Sequence, residues 1–229
     1  MEPEAGCGAA AAVAEADHAS LVSGENQELS SLAGFFRTLY AVLFRPGEFF
    51  KNLGREGWAG PTAFALIVSS VGLLGAFFWQ LLVLAPADGN LGDIGALLPF
   101  GGLGPGMLLA LMAATPVLVL ANFGVGGICW WGSVALVGAG RDFTPAWRIF
   151  CYAHAGMALG LIPFFGLLVG GIWVLALMYC GVKQVYGISA GASLGALALY
   201  LELQFLLALI LFLGLAGFLA GLGFLLLLG

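Results

Sequence analysis

The sequence predicts an all-α fold: a polytopic integral membrane helical bundle of about five transmembrane helices, preceded by short amphipathic interfacial helices. Three observations carry this. Hydrophobic residues make up 62% of the chain and charged ones 8%, against about a quarter charged in soluble domains. Several apolar runs approach or exceed the roughly 18 residues that mark a crossing helix. The runs are continuous rather than alternating, which selects helices over a closed barrel, the two structures that satisfy the backbone inside hydrocarbon.

Crossings are expected near 61–84, 112–137, 145–162, 167–183 and 205–228. With the N-terminus in the cytoplasm, all seven basic residues (Arg37, Arg45, Lys51, Arg55, Arg141, Arg148 and Lys183) lie on the cytoplasmic side or at its edge. The long opposite loop, 85–106, holds Asp88 and Asp93 and no base. This is the positive-inside pattern.

In chain order, residues 1–30 form an acidic tail with Glu2, Glu4, Glu15, Asp17, Glu25 and Glu28. Its large apolar residues are too few for a core, so it reads as a disordered cytoplasmic segment. Most of the net charge of −5 comes from this tail, and it carries no sign of nucleic-acid binding. No secretory signal precedes the bundle, since the first thirty residues lack both Lys/Arg and an apolar core.

Residues 31–60 place Leu32, Phe35, Phe36, Leu39 and Leu43, then Phe49, Phe50 and Leu53, at helical spacing. Arg37, Arg45, Lys51 and Arg55 interleave with them. The residue before a proline avoids helical geometry, so Arg45-Pro46 divides the stretch into two short helices. Neither is long enough to cross. Basic, aromatic helices of this kind lie in the membrane interface, and Trp58 suits the headgroup region at the entry to the first crossing. The alternative is that the two helices cover the cytoplasmic end of the bundle.

Residues 61–229 form the transmembrane bundle. The Pro- and Gly-rich stretch 85–106 reads as an external loop. The apolar run Met107–Val137 is too long for a simple crossing and is expected to tilt or to break at Pro116. Thr144 suits an N-cap and Pro145 the first helical position. From Pro145 to Ile162 an α-helix covers about 27 Å, near the thickness of a bilayer core, and Pro163 stops it. Residues 190–229 would make about 57 Å of helix. We expect 190–204 to lie along the inner surface and 205–228 to cross. The alternative is two short crossings broken near Gly214.

The order Arg148-x-x-Cys151-Tyr152-Ala153, Leu161-Ile162-Pro163, Gly170-Gly171-Ile172-Trp173 and Tyr186-Gly187-Ile188-Ser189 resembles bacterial-type members of the Yip-one (Ypt-interacting protein) domain family. The entry Trp58-Ala59-Gly60-Pro61 is similar to the family's Gly-Pro entry. There Glu56 and Trp58 stand loosely for the acid and tyrosine of the eukaryotic Asp-Leu-Tyr-Gly-Pro, with altered spacing. The resemblance spans about residues 35–210. It marks Gly60, Pro61, Tyr152, Pro163, Gly171 and Trp173 as family-motif positions. It implies a five-helix domain in the bacterial inner (plasma) membrane. Its eukaryotic relatives bind small GTPases and act in vesicle traffic and membrane shaping.

Candidate sites are few. His154 and Glu202 are ionisable groups within apolar runs, functional candidates by default. With Tyr152 they form a candidate intramembrane polar site; the plain alternatives are a histidine bonded within the bundle and a glutamate wetted at the surface. Glycines at four-residue steps, such as Gly156 and Gly160, allow close helix approach or self-association. There is no Cys-x-x-Cys, no Gly-x-Ser-x-Gly and no His-Glu-x-x-His, so neither a metal, a cofactor nor a catalytic set is expected. The function expected is a non-enzymatic scaffold that organises lipid or a membrane-protein partner, self-association included. The alternative is a carrier or channel for a lipid or small solute using His154 and Glu202.

Overall fold

The computed structural model describes the backbone of residues 32–54, 57–84 and 105–228, and the side chains of 32–54, 57–82 and 106–214. The acidic tail, Arg55, Glu56 and most of the expected external loop lie outside the described residues. Every described element is a helix: α1 (Leu32–Phe44), α2 (Pro46–Lys51), α3 (Ala59–Leu84), α4 (Pro105–Leu136), α5 (Phe143–Ala153), a 3-10 segment (His154–Leu161), α6 (Gly166–Tyr186) and α7 (Ala190–Leu228). Stretches in four of these, Ala59–Leu82, Gly106–Leu136, Gly166–Tyr186 and Ala190–Gly214, are long and apolar enough to cross a membrane.

The break at Arg45-Pro46 is where the sequence places it. Arg45 leaves the helical region at φ −134°, and Pro46 opens α2. The long run before Val137 is different. Pro116 sits inside one continuous helix of 32 residues, with no break. Proline removes one N–H from the ladder, and the neighbouring Thr115 hydroxyl donates to the Leu111 carbonyl at 3.0 Å.

The third crossing departs furthest from expectation. It starts at Phe143 rather than Pro145, and Asp142 occupies the N-cap without a side-chain cap. The α-helix stops at Ala153, after 11 residues, and the chain continues as eight residues of 3-10 helix. At about 1.5 Å and 2.0 Å per residue the two pieces together reach roughly 32 Å. The segment thus has about the height of a bilayer core and packs alongside α3. Thr62 meets Trp147 at one end and Trp79 meets Leu161 at the other.

Glycines let the neighbouring helices approach this segment closely. A methyl group on Gly160 would overlap the carbonyl of Gly72, and one on Gly72 would overlap that of Met157. On the other side, a Cβ on Gly156 would lie 2.9 Å from the backbone nitrogen of Val174 on α6. Two helix backbones thus approach the segment closely. Beyond it the Pro163–Phe165 turn, closed by Phe165 N–H to Pro163 C=O at 2.8 Å, leads into α6. Gly187, left-handed at φ 63°, ends that helix, as a C-terminal glycine typically does.

α7 is one unbroken helix of 39 residues, neither divided at Gly214 nor split into surface and crossing parts. Residues 190–204 do not lie along a surface. They pack antiparallel on α4: Gly195 faces Val137, the Tyr200 and Trp130 rings stand 5.7 Å apart, and Gln204 approaches Gly126. Tyr200 and Ala196 are buried in this packing, and Trp130 is fully buried in it.

Candidate functional site: the junction at the basic end

The starts of α3, α5 and α7 and the ends of α2, α4 and α6 share one end of the bundle. Contacts fix this: Arg148 reaches Gly57, Gly140 faces Tyr186, Gly47 faces Gln184, and the Trp131 indole donates to the Arg141 carbonyl at 3.0 Å. Arg45, Lys51, Arg141, Arg148 and Lys183 all lie there, and we call it the basic end.

Its centre is built from two stretches far apart in sequence. On α5, residues 147, 148, 151 and 152 share one face by helical spacing. On the α3 side, Gly57 takes φ +79°, a conformation that glycine adopts without steric cost. That turn aims its carbonyl at Arg148, whose Nη1 donates at 3.0 Å. Arg148 is 2% exposed, and its guanidinium stands 5.9 Å from the centroid of the Tyr152 ring. A guanidinium stays charged in any protein setting. Carbonyl and ring faces therefore supply what water would otherwise give.

One turn away, Thr62 is the hub of a second set. Its hydroxyl donates to the Trp58 carbonyl at 2.6 Å and accepts from the Trp147 indole at 2.8 Å. It also stands 3.9 Å from the Cys151 sulfur. Tyr152 is fully buried. Phe49 of α2 packs on its ring at 4.9 Å and Phe64 of α3 at 5.5 Å; Phe35 of α1 packs on Phe64 at 5.2 Å. Helices α1, α2, α3 and α5 thus converge on Arg148, Thr62 and Tyr152. Among the described residues, no group of acids, histidines and cysteines is placed to hold a metal ion.

Of the family-motif positions, the structure brings Gly60, Pro61 and Tyr152 to this junction and leaves Pro163, Gly171 and Trp173 elsewhere. Pro163 is exposed at the far end, Trp173 is 39% exposed on the outer face of α6, and a Cβ on Gly171 would touch nothing. The tight contact belongs to Gly170, where an added Cβ would lie 2.8 Å from the carbonyl oxygen of Gly156.

The candidate polar site does not assemble. His154 is buried, its Nδ1 2.8 Å from the Phe150 carbonyl, with the Phe123 and Phe150 ring centroids both at 4.5 Å. Glu202 is exposed on the outward face of α7, without a hydrogen bond or ion pair among the described residues. Tyr152 belongs to the junction instead. Of the basic and aromatic residues expected at the interface, Arg37, Arg45, Lys51 and Trp58 are exposed. Arg45 and Glu48 approach to 3.9 Å, a solvent-exposed pair of small energetic weight.

α1 covers the bundle with one face and leaves the other uncovered. Gly34, Val42 and Leu43 are buried against the bundle. Leu32, Phe36, Tyr40 and Phe44, at four-residue steps, remain 57–81% exposed.

Sequence reading missed the hub role of Thr62 and Trp147. The available signal was the four-residue step from Trp147 to Cys151, beside the motif already noted.

Helices that cross, joined by a charged lock at one end, define a multi-pass membrane protein. The Yip1 domain family model matches residues 40–213, about three quarters of the chain, and the protein belongs to that family. No curated protein and no solved structure matches it.

Proposed function

We propose that this Yip1-domain protein is a non-enzymatic scaffold that organises the bacterial inner (plasma) membrane, with its N-terminus and basic end in the cytoplasm. The observation that carries the reading is the outward face of α1. Leu32, Phe36, Tyr40 and Phe44 form an apolar stripe the bundle does not cover, and exposed Arg45 and Lys51 follow it at the basic end. A helix apolar on both faces belongs between protein and lipid. Each nearby base adds about 1 kcal/mol of attraction to an anionic leaflet. Seated in the cytoplasmic leaflet, α1 widens that half of the molecule and favours a curved bilayer, a shaping role in keeping with the family.

The test is reconstitution of the full chain into phosphatidylcholine–phosphatidylglycerol vesicles, with vesicle diameter measured by electron cryomicroscopy. Smaller vesicles with the native chain, and not with Phe36→Ser/Tyr40→Ser/Phe44→Ser, support the reading. Unchanged vesicle shape together with no stable membrane partner in capture experiments overturns it.

A further inference from the structure

Gln80 stands near the end of the bundle opposite the basic one. It lies about 32 Å along α3 from Ala59, roughly one bilayer core away, at the level where headgroups begin. It is 4% exposed, yet its side-chain oxygen has no hydrogen-bond partner. Buried polar groups in folded proteins are paired, and each exception calls for a physical account.

Gln80 lines a cleft with about 260 Å³ of empty space, open on one side. Buried Gln80 and Gly166 lie at its floor, half-buried Trp79 and Leu167 at its walls, and exposed Ile162 and Phe164 at its rim. The enclosed part has room for a group about the size of a water molecule.

Two further features belong to the same cleft. Helix α6 opens on Gly166 and Leu167, and its N-cap residue, Phe165, provides no side-chain cap. The first N–H groups of a helix have no partner within it, so the lining residues include spare backbone donors. On the rim, Phe164 is held at φ 65°, where a residue with a side chain is strained. Strain of this kind collects at ligand sites.

The lining selects the chemistry. It contains no charged side chain, so nothing there balances the charge of an ion. The Trp79 indole N–H is already engaged by the Leu161 carbonyl, which leaves the Trp79 ring as an apolar wall. The Gln80 oxygen requires a donor, and the opening turn of α6 requires an acceptor. A hydroxyl is both, and it has the size of the enclosed space.

We infer that this cleft binds the terminal hydroxyl of a small polyol, carried on a lipid headgroup or by the free polyol. The hydroxyl donates to Gln80 Oε1 and accepts from the first-turn N–H groups of α6. Its carbon lies against Trp79, Ile162, Phe164 and Leu167. The inference stands apart from the scaffold reading, because it concerns the other end of the bundle and is measured without vesicle shape.

The test uses the full chain in nanodiscs, in two arms. The first holds equal parts phosphatidylcholine, phosphatidylglycerol and phosphatidylmethanol; the last carries the charge of phosphatidylglycerol without its hydroxyls. Native mass spectrometry counts the lipids each chain retains. The second holds phosphatidylcholine alone with free glycerol, followed by saturation-transfer NMR. Retention of phosphatidylglycerol over phosphatidylmethanol by about three- to tenfold, the weight of one hydrogen bond, assigns the site to a lipid. A glycerol signal without that preference assigns it to the free polyol. Both outcomes support the inference. Gln80→Leu keeps an apolar side chain of similar size and is expected to abolish either signal. Ile162→Trp, which crowds the mouth from an exposed position, is expected to do the same. Neither signal in the native chain, which leaves the cleft to water, overturns the inference. So does either signal undiminished in Gln80→Leu or Ile162→Trp whose helical circular dichroism matches the native chain.

Discussion

Gly160 and Gly72 meet backbone to backbone: a methyl group on the first would overlap the carbonyl of the second. The contact locks the 3-10 segment against α3, and both sides are main chain, which gives way only by moving a whole helix.

Gly160→Ala is therefore expected to destabilise the bundle by about 1–3 kcal/mol, as overpacking typically does. Gly124→Ala is the control. A Cβ there meets nothing within 4 Å, and alanine in a helix interior gains about 0.5–1 kcal/mol over glycine. Unfolding by denaturing detergent, followed by circular dichroism, is expected to move in opposite directions for the two.

Arg148→Met removes the donor to Gly57 from a buried site. A hydrogen bond to a charged group is worth about 1.5–3 kcal/mol, and a loss of that size is expected. Gly57→Ala, at φ +79°, is expected to cost about 1–2 kcal/mol through backbone strain. In both variants maleimide modification of Cys151, fully buried in the native chain, is expected to accelerate.

Thr62→Val keeps shape and removes the hub hydroxyl. Alone it leaves the Trp147 indole without its acceptor, and a loss of about 1–3 kcal/mol is expected. Combined with Trp147→Phe the losses are expected to fall short of additive by about 0.5 kcal/mol or more, the signature of a direct contact in a double-mutant cycle.

Nitroxide labels at Phe36→Cys and Tyr40→Cys are expected to relax more with lipid-soluble oxygen than with a water-soluble nickel chelate. A label at Lys51→Cys is expected to show the reverse. Stability is expected to change by no more than about 0.5 kcal/mol at these exposed positions.

The parts of the fold that follow from apolar length and from proline were legible in the sequence. The long apolar helices α3, α4 and α6, the Arg45-Pro46 break and the turn at Pro163 came from those two signals; the separate crossing expected over 205–228 is absent, because that stretch continues α7. The 3-10 segment was not. His154–Leu161 is as apolar as an α-helix would be, and its close contacts with Gly72 and Val174 exist only in the fold. At Pro116 the expected break is absent, and α4 runs on through the proline as one helix. Residues 190–204 carried no base to place them, and only the Trp130–Tyr200 contact puts them against α4. At the junction, Gly60, Pro61 and Tyr152 were visible as motif positions. Their meeting through Arg148 and Thr62 spans about ninety residues of chain, a distance that no local pattern reports.

The change of coil at His154 sets a ruler. Eight residues wound at about 2.0 Å rather than about 1.5 Å each gain roughly 4 Å, so a short stretch matches the height of its neighbour without added residues. Rewound to the ordinary pitch, the same stretch would fall short of the Trp79 indole by that amount. The hydrogen bond from Trp79 to the Leu161 carbonyl, 2.8 Å long, is thus a built-in register mark for the stretched winding.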